Sequence, residues 1–415
     1  MKKILLSIVL FLLVSINIAQ AAETPTEITF IYINGSNNLA YKNRLKFKVA
    51  FVENVQKLHP QIMKRFEANK MINERFLKGG KYTINPEPIA FYWGDRSLDI
   101  VEVLDKDLKT ASKYSPKIAH QVRSIFAHCL HDAVWVQKQQ NMNNVIDDLH
   151  QVVLEELAKG KKVVLLGYSA GSFVTYQYYL MKANTITPSA LVDNYSSEIN
   201  EYIANTSIKP TCFDALVDAD IVKYNPKTDK FRPNPNLEAF KKNYVELDSY
   251  TDKVCFAGGD VKGVIGFASP ARLFYSDLMD AKTSISNISR LMSQSIVEND
   301  VFYLTVNYSN DPFGFPNGEN FTYKKLQNEI AKISNNFKGG QGFIYNKSNN
   351  YVPRTFVTAH LAYWDTPKRF AKAIVKAFNE GYLHFHELEK WFSHGKSKTL
   401  IIFYLAKIQV LQELL

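Results

Sequence analysis

Lys161-Lys162-Val163-Val164-Leu165-Leu166-Gly167-Tyr168-Ser169-Ala170-Gly171 decides how this chain is read. A short β-branched and leucine run leads straight into Gly-x-Ser-x-Gly. The apolar run predicts a buried strand, and Ser172 to Met181 continues as a helix with Phe173, Tyr176 and Leu180 on one face. A strand that turns sharply into a helix at a serine flanked by glycines is a nucleophile elbow. Glycine at positions 167 and 171 leaves no Cβ to keep strand and helix apart. The helix start beneath the serine supplies free N–H groups, and that of Ala170 is placed to hold an oxyanion. The five-residue pattern alone is common. The strand before it and the helix after it separate it from a glycine-rich turn around a structural serine, so Ser169 is the candidate nucleophile.

Outward from the elbow, strand and helix signals alternate. Ile28–Ile33 is a β-branched and aromatic strand closed by the polar turn Asn34-Gly35-Ser36. A helical region follows over 39–77, with Pro60 expected to break it. Ile89–Trp93 is a second strand, 100–157 is helical, Val261–Ala268 and Val301–Tyr308 are further strands, and Gly342–Tyr345 is a sixth before a helix over Pro367–Phe378. Such alternation in a chain of 415 residues, 46% hydrophobic, predicts an α/β fold whose mostly parallel, doubly wound sheet is covered on both faces.

A serine hydroxyl needs a base to take its proton, and the base needs an orienting partner. In open parallel sheets such groups gather outside the carboxyl ends of the strands. Asp311 follows the strand Val301–Tyr308 in Ser309-Asn310-Asp311-Pro312 and is the candidate acid; Asp260 and Asp220 are weaker rivals. Of nine histidines, His360 alone lies between Asp311 and the C-terminal region, which makes it the candidate base.

The order Ser169, Asp311, His360 with the elbow at Gly167–Gly171 resembles the α/β-hydrolase superfamily, in particular its secreted esterases and lipases. The resemblance spans about Ile28 to Phe378. It implies that Asn34-Gly35-Ser36 is the oxyanion loop, with Asn34 where relatives often carry histidine. The main-chain N–H of Gly35 or of Ser36 then serves together with that of Ala170. The long segments 100–157 and 183–252 resemble insertions or a cap over the site. The implied activity is cleavage of carboxylic esters through an acyl-enzyme, with no metal or organic cofactor. Phospholipase, thioesterase or peptidase action on the same triad, and a binding protein on a hydrolase fold, are the alternatives.

Other features set the surroundings. Lys2 and Lys3, the apolar run Ile4–Ala19 and Ala19-Gln20-Ala21 predict a signal peptide over 1–21 and hence an exported, periplasmic or secreted protein of bacterial type. The hydrolase domain is then expected over 22–382 and a helical tail over 383–415. Cys212 and Cys255 are candidates for a disulfide, with Cys129 left over. The formal charge of +10 is spread as scattered lysines, which allows peripheral contact with an anionic membrane surface. No nucleic-acid motif is present, so the expected partner is a small-molecule or lipid ester.

Overall fold

The computed structural model describes residues 24–36, 44–97, 131–179, 222–225, 230–233, 260–271, 287–315, 320–331 and 337–387, with isolated positions at 103, 106–108, 110, 119 and 182. The leader expected over 1–21, all three cysteines, Asp220, most of 100–130 and 183–252, and the residues beyond 387 lie outside the described residues. Among the described residues no helix is long and apolar enough to cross a membrane.

One sheet organises the chain. Its strands are β1 (Thr26–Ile33), β2 (Tyr82–Ile84), β3 (Ile89–Phe91), β4 (Lys162–Tyr168), β7 (Val261–Phe267), β8 (Phe302–Tyr308) and β9 (Phe343–Asn350). Two further strands, β5 (Val222–Asn225) and β6 (Lys230–Pro233), form a separate antiparallel pair. Across the main sheet the order is β2-β1-β4-β7-β8-β9, and every pairing is parallel. β3 shares the edge position with β2: the two pair successive halves of β1, separated by Asn85-Pro86-Glu87-Pro88. At the opposite edge Asn320 pairs with β9 as a strand would, its Nδ2 donating to the Asn346 carbonyl and its Oδ1 accepting from the Asn346 N–H.

Alternation along the strands explains why both faces are covered. Ile28, Phe30 and Tyr32 of β1, Val164 and Leu166 of β4, and Phe302, Leu304 and Val306 of β8 point into one core. Ile31, Ile33, Val163, Leu165 and Tyr303 point into the other. The first core is closed by α1 (Arg44–Ala68), α2 (Lys70–Arg75), α7 (Tyr323–Ile330), α8 (Phe356–Asp365) and α9 (Pro367–Tyr382). The second is closed by α3 (His131–Gln137), α4 (Gln139–Ala158), α5 (Ala170–Tyr178) and α6 (Asn287–Glu298). A strand apolar on both sides has no face to give to water, and a parallel sheet between two helical layers satisfies that. The fold is therefore α/β with a doubly wound parallel sheet.

One expectation needs correction, and one element is additional to those expected. Pro60 does not break the first helix; α1 runs through it from Arg44 to Ala68. Proline removes one N–H, but Phe51, Val55, Leu58, Ile62 and Phe66 lie on both sides of it and are all buried in the first core, so packing outweighs the lost bond. The segment before Pro367 carries a helix of its own, α8, which a search for long apolar periods passes over because it is ten residues long.

The chain leaves β1 for the edge, forms β2 and β3, then crosses back past β1 to form β4. Strand order therefore reverses between β1 and β4, and the carboxyl ends of these two strands mark the switch point at which open α/β sheets bind ligands. The ends are Asn34-Gly35 and Ser169.

Candidate active site

Ser169 directly follows β4 and caps α5 with φ 51° and ψ −124°, a left-handed backbone that side chains rarely adopt. Such a residue costs about 1–3 kcal/mol and persists only where its surroundings fix it. Here its N–H donates to the Phe267 carbonyl at 2.9 Å. Its own carbonyl accepts from the Ser172 N–H at 2.9 Å and from Ser172 Oγ at 2.6 Å. The glycines of the elbow are there for contact. A Cβ on Gly171 would lie 2.5 Å from the Ile33 carbonyl oxygen, and one on Gly167 would lie 2.6 Å from Ser172 Cα. Gly35 sits just as close: a Cβ there would lie 2.6 Å from Ser169 Cβ and 2.7 Å from the Tyr168 carbonyl oxygen. Gly35, in the loop after β1, thus lies against the serine. Ala170 is the first residue of α5, where N–H groups have no partner within the helix.

His360 approaches from α8, with Nε2 3.1 Å from Ser169 Oγ. Its Nδ1 lies 3.0 and 3.1 Å from the two oxygens of Asp311. A carboxylate only accepts, so the ring proton belongs on Nδ1, and Nε2 is free to accept from the serine hydroxyl. The Asp311 side chain is fully buried, whereas the histidine ring is partly open to solvent. The structure thus brings the three residues expected from the sequence into one hydrogen-bonded chain, at the carboxyl ends of β4 and β8 and the middle of α8. Asp260, the rival acid, precedes β7 and pairs with Lys162 at the amino ends of the strands, away from Ser169.

Several supporting groups carry no motif. Tyr363, one turn beyond His360 on α8, donates to Asp311 Oδ2 at 2.9 Å and accepts from the Tyr308 N–H at 2.7 Å. Burial, followed by the adjacent Asp311 charge, holds its hydroxyl well above the ordinary phenol range, so it stays a donor. Asp311 Oδ1 also accepts from the Phe313 N–H at 3.0 Å. Asn310 binds the segment leading into α8 through the Val352 and Arg354 carbonyls, at 2.7 and 2.9 Å. The acid loop is therefore tied to the histidine helix by two neighbouring residues. Ser269, after β7, shares a 2.7 Å hydrogen bond with Ser172 and accepts at its carbonyl from the Phe315 N–H, which joins elbow to acid loop. Tyr168 donates to the His360 carbonyl at 2.8 Å and lies beside its ring, centroids 5.3 Å apart. Phe313 meets the same ring edge-on at 4.9 Å. Phe313 and Leu361 both leave apolar surface exposed next to the histidine.

The arrangement holds a serine hydroxyl, an imidazole with Nε2 on that hydroxyl, and a buried carboxyl group behind it. Chemically it provides an activated nucleophile with a proton acceptor in place. No protein-family model, no curated protein and no solved structure matches this chain, so the residues and their geometry carry the functional reading alone.

Proposed function

We propose that this chain is a serine hydrolase of the α/β-hydrolase kind that cleaves carboxylic esters through an acyl-enzyme. The observation that carries the reading is the continuous chain Ser169 Oγ–His360 Nε2 and His360 Nδ1–Asp311. The strand order supports it too: nucleophile, acid and base follow β4, β8 and β9 in turn, and the loop after β1 packs on the serine.

In this reading Ser169 attacks the ester carbonyl while His360 Nε2 takes the hydroxyl proton. Asp311 stays ionised, holds the ring and stabilises the imidazolium. The oxyanion is met by the N–H of Ala170 and by an N–H of the Gly35–Ser36 loop. Collapse of the tetrahedral intermediate expels the alkoxide, which His360 protonates. Water then repeats the sequence on the acyl-enzyme, with His360 as base. The chemistry needs neither metal nor organic cofactor. The apolar surface of Phe313 and Leu361 suits an apolar ester better than a charged one. The leader-like segment Lys2–Ala21 adds the proposal that the enzyme acts outside the cytoplasm.

Labelling with a fluorophosphonate probe tests this. Wild type should label, and Ser169→Ala and His360→Ala should not. A folded wild type that neither labels nor hydrolyses any of a panel of short and long acyl esters would remove the enzyme reading.

A further inference from the structure

The loop after β1 leaves one matter open in the proposed chemistry: which N–H joins that of Ala170 at the oxyanion, and what aims it. Asn34 is fully buried. Its Oδ1 accepts from the Trp93 N–H at 2.9 Å, and its Nδ2 donates to the Gly35 carbonyl at 2.7 Å. Its backbone is held at the same end of the sheet: its N–H donates to the Phe91 carbonyl at 3.2 Å, and its carbonyl accepts from Trp93 Nε1 at 2.7 Å. Trp93 is fixed in turn by a parallel stack on Trp135, centroids 6.3 Å apart and planes 9° apart. The Asn34 amide is therefore a rigid bracket between the end of β3 and the Gly35–Ser36 peptide.

A trans peptide carries its C=O and N–H in opposite directions, and rotation about the C–N bond is closed to it. Fixing the Gly35 carbonyl on Asn34 therefore fixes the Ser36 N–H pointing the other way, from a peptide whose Gly35 Cα lies against Ser169. We infer that Asn34 is a positioning residue that selects the Ser36 N–H, not that of Gly35, as the second oxyanion donor. The inference rests on the serine-hydrolase reading above. Without the bracket the peptide is free to rotate as a unit, which would turn its N–H away from the developing charge. A donor aimed in advance costs nothing to reorganise when the charge appears, which is why its direction, and not only its presence, counts.

Asn34→Asp keeps the side-chain volume and the acceptor for the Trp93 N–H but replaces the donor to Gly35 with a repelling oxygen. Asn34→Ala removes both bonds. With 4-nitrophenyl butyrate as substrate, each variant should lose roughly 10- to 100-fold in kcat with KM within about twofold. Each should bind a trifluoromethyl ketone, which mimics the tetrahedral intermediate, weaker by the same factor, because removing an oxyanion donor outright costs ~10²–10³. An α-hydroxy acid at position 36, which exchanges the N–H for an ester oxygen and leaves the side chain intact, should give a loss at least as large; the same exchange at position 35, which only weakens the Asn34 carbonyl as acceptor for Trp93 Nε1, should give a smaller one. Unchanged kcat and ketone binding in folded Asn34→Asp, or a larger loss from the exchange at 35 than at 36, would overturn the inference and leave the hydrolase reading standing. A wild type that neither labels nor turns over would remove both.

Discussion

Tyr363→Phe is the sharpest probe of how the acid is held. The substitution removes one oxygen and leaves the ring, whose contacts are apolar: Tyr308 stacked at 4.3 Å, Phe370 edge-on at 5.1 Å and Phe267 at 5.7 Å. Two hydrogen bonds go with that oxygen. The donation to Asp311 is charge-assisted and is worth about 1.5–3 kcal/mol. The Tyr308 N–H, buried between β8 and α8, loses its acceptor and costs about 1–3 kcal/mol. The two terms share an atom and do not simply add, so about 3 kcal/mol of stability is the expected loss. For a chain of 415 residues that is on the order of 3–4 °C in melting temperature. Asp311 keeps the Phe313 N–H and His360, so the triad survives with a looser acid, and kcat should fall about tenfold, equivalent to ~1.4 kcal/mol. Thermal unfolding followed by circular dichroism and steady-state ester hydrolysis read the two effects separately. A melting temperature within about 1 °C of wild type would show that the hydroxyl makes neither bond. A lower melting temperature with unchanged kcat would show that Tyr363 serves the fold and does nothing for the acid.

Three further outcomes follow from contacts elsewhere. Gly171→Ala should destabilise the chain by about 3 kcal/mol or prevent expression of folded protein, because its Cβ meets the Asn34 and Ile33 carbonyl oxygens, neither of which is a flexible chain end; chemical denaturation of wild type and variant measures this. Burial by itself would raise the Glu156 carboxyl, but hydrogen bonds from Lys159 and Thr29 and the charges of Lys159 and Lys161 outweigh it and leave the group below its ordinary value. Its contribution is thus present above about pH 4.3 and lost as the pH falls through the lower folded value, so the stability gap between wild type and Glu156→Gln should be widest near neutrality and close in acid. Burial, then the Lys182 charge, pushes His150 down to about 4, so it is neutral in the folded chain while the unfolded chain takes up a proton near pH 6.5. Stability should therefore fall between pH 6.5 and 4, by at most about 3 kcal/mol from this group, and a pH series of melting curves should be flatter over that window in His150→Asn.

What could be read from the sequence was whatever depends on neighbours in the chain. The elbow is legible because strand, serine and helix are contiguous. Asp311 is legible because it sits directly after a strand whose residues are all apolar or aromatic but for Thr305 and Asn307. His360 was reached by its order along the chain alone. Tyr363, Asn310, Ser269 and Asn34 act through partners 42 to 97 positions away, or through a helix register that no local pattern announces. A sign of Tyr363 was present, since positions three apart share a helix face, but using it required knowing that 356–365 is helical. Likewise the break expected at Pro60 weighs one missing N–H and has no way to weigh the five buried side chains that carry α1 across it.

The two borders of the sheet have a consequence for how the chain behaves in a crowded solution. A bare strand edge is a template on which another chain can add itself, and long flat edges are where such growth begins. On one border the place of a single long strand is taken by β2 and β3, three residues each, with Pro86 and Pro88 between them; proline has no N–H to offer a newcomer. On the other, Asn320 already occupies the Asn346 amide and carbonyl. Neither border presents an unbroken row of free donors and acceptors, so the sheet is closed to growth by the same residues that set its width.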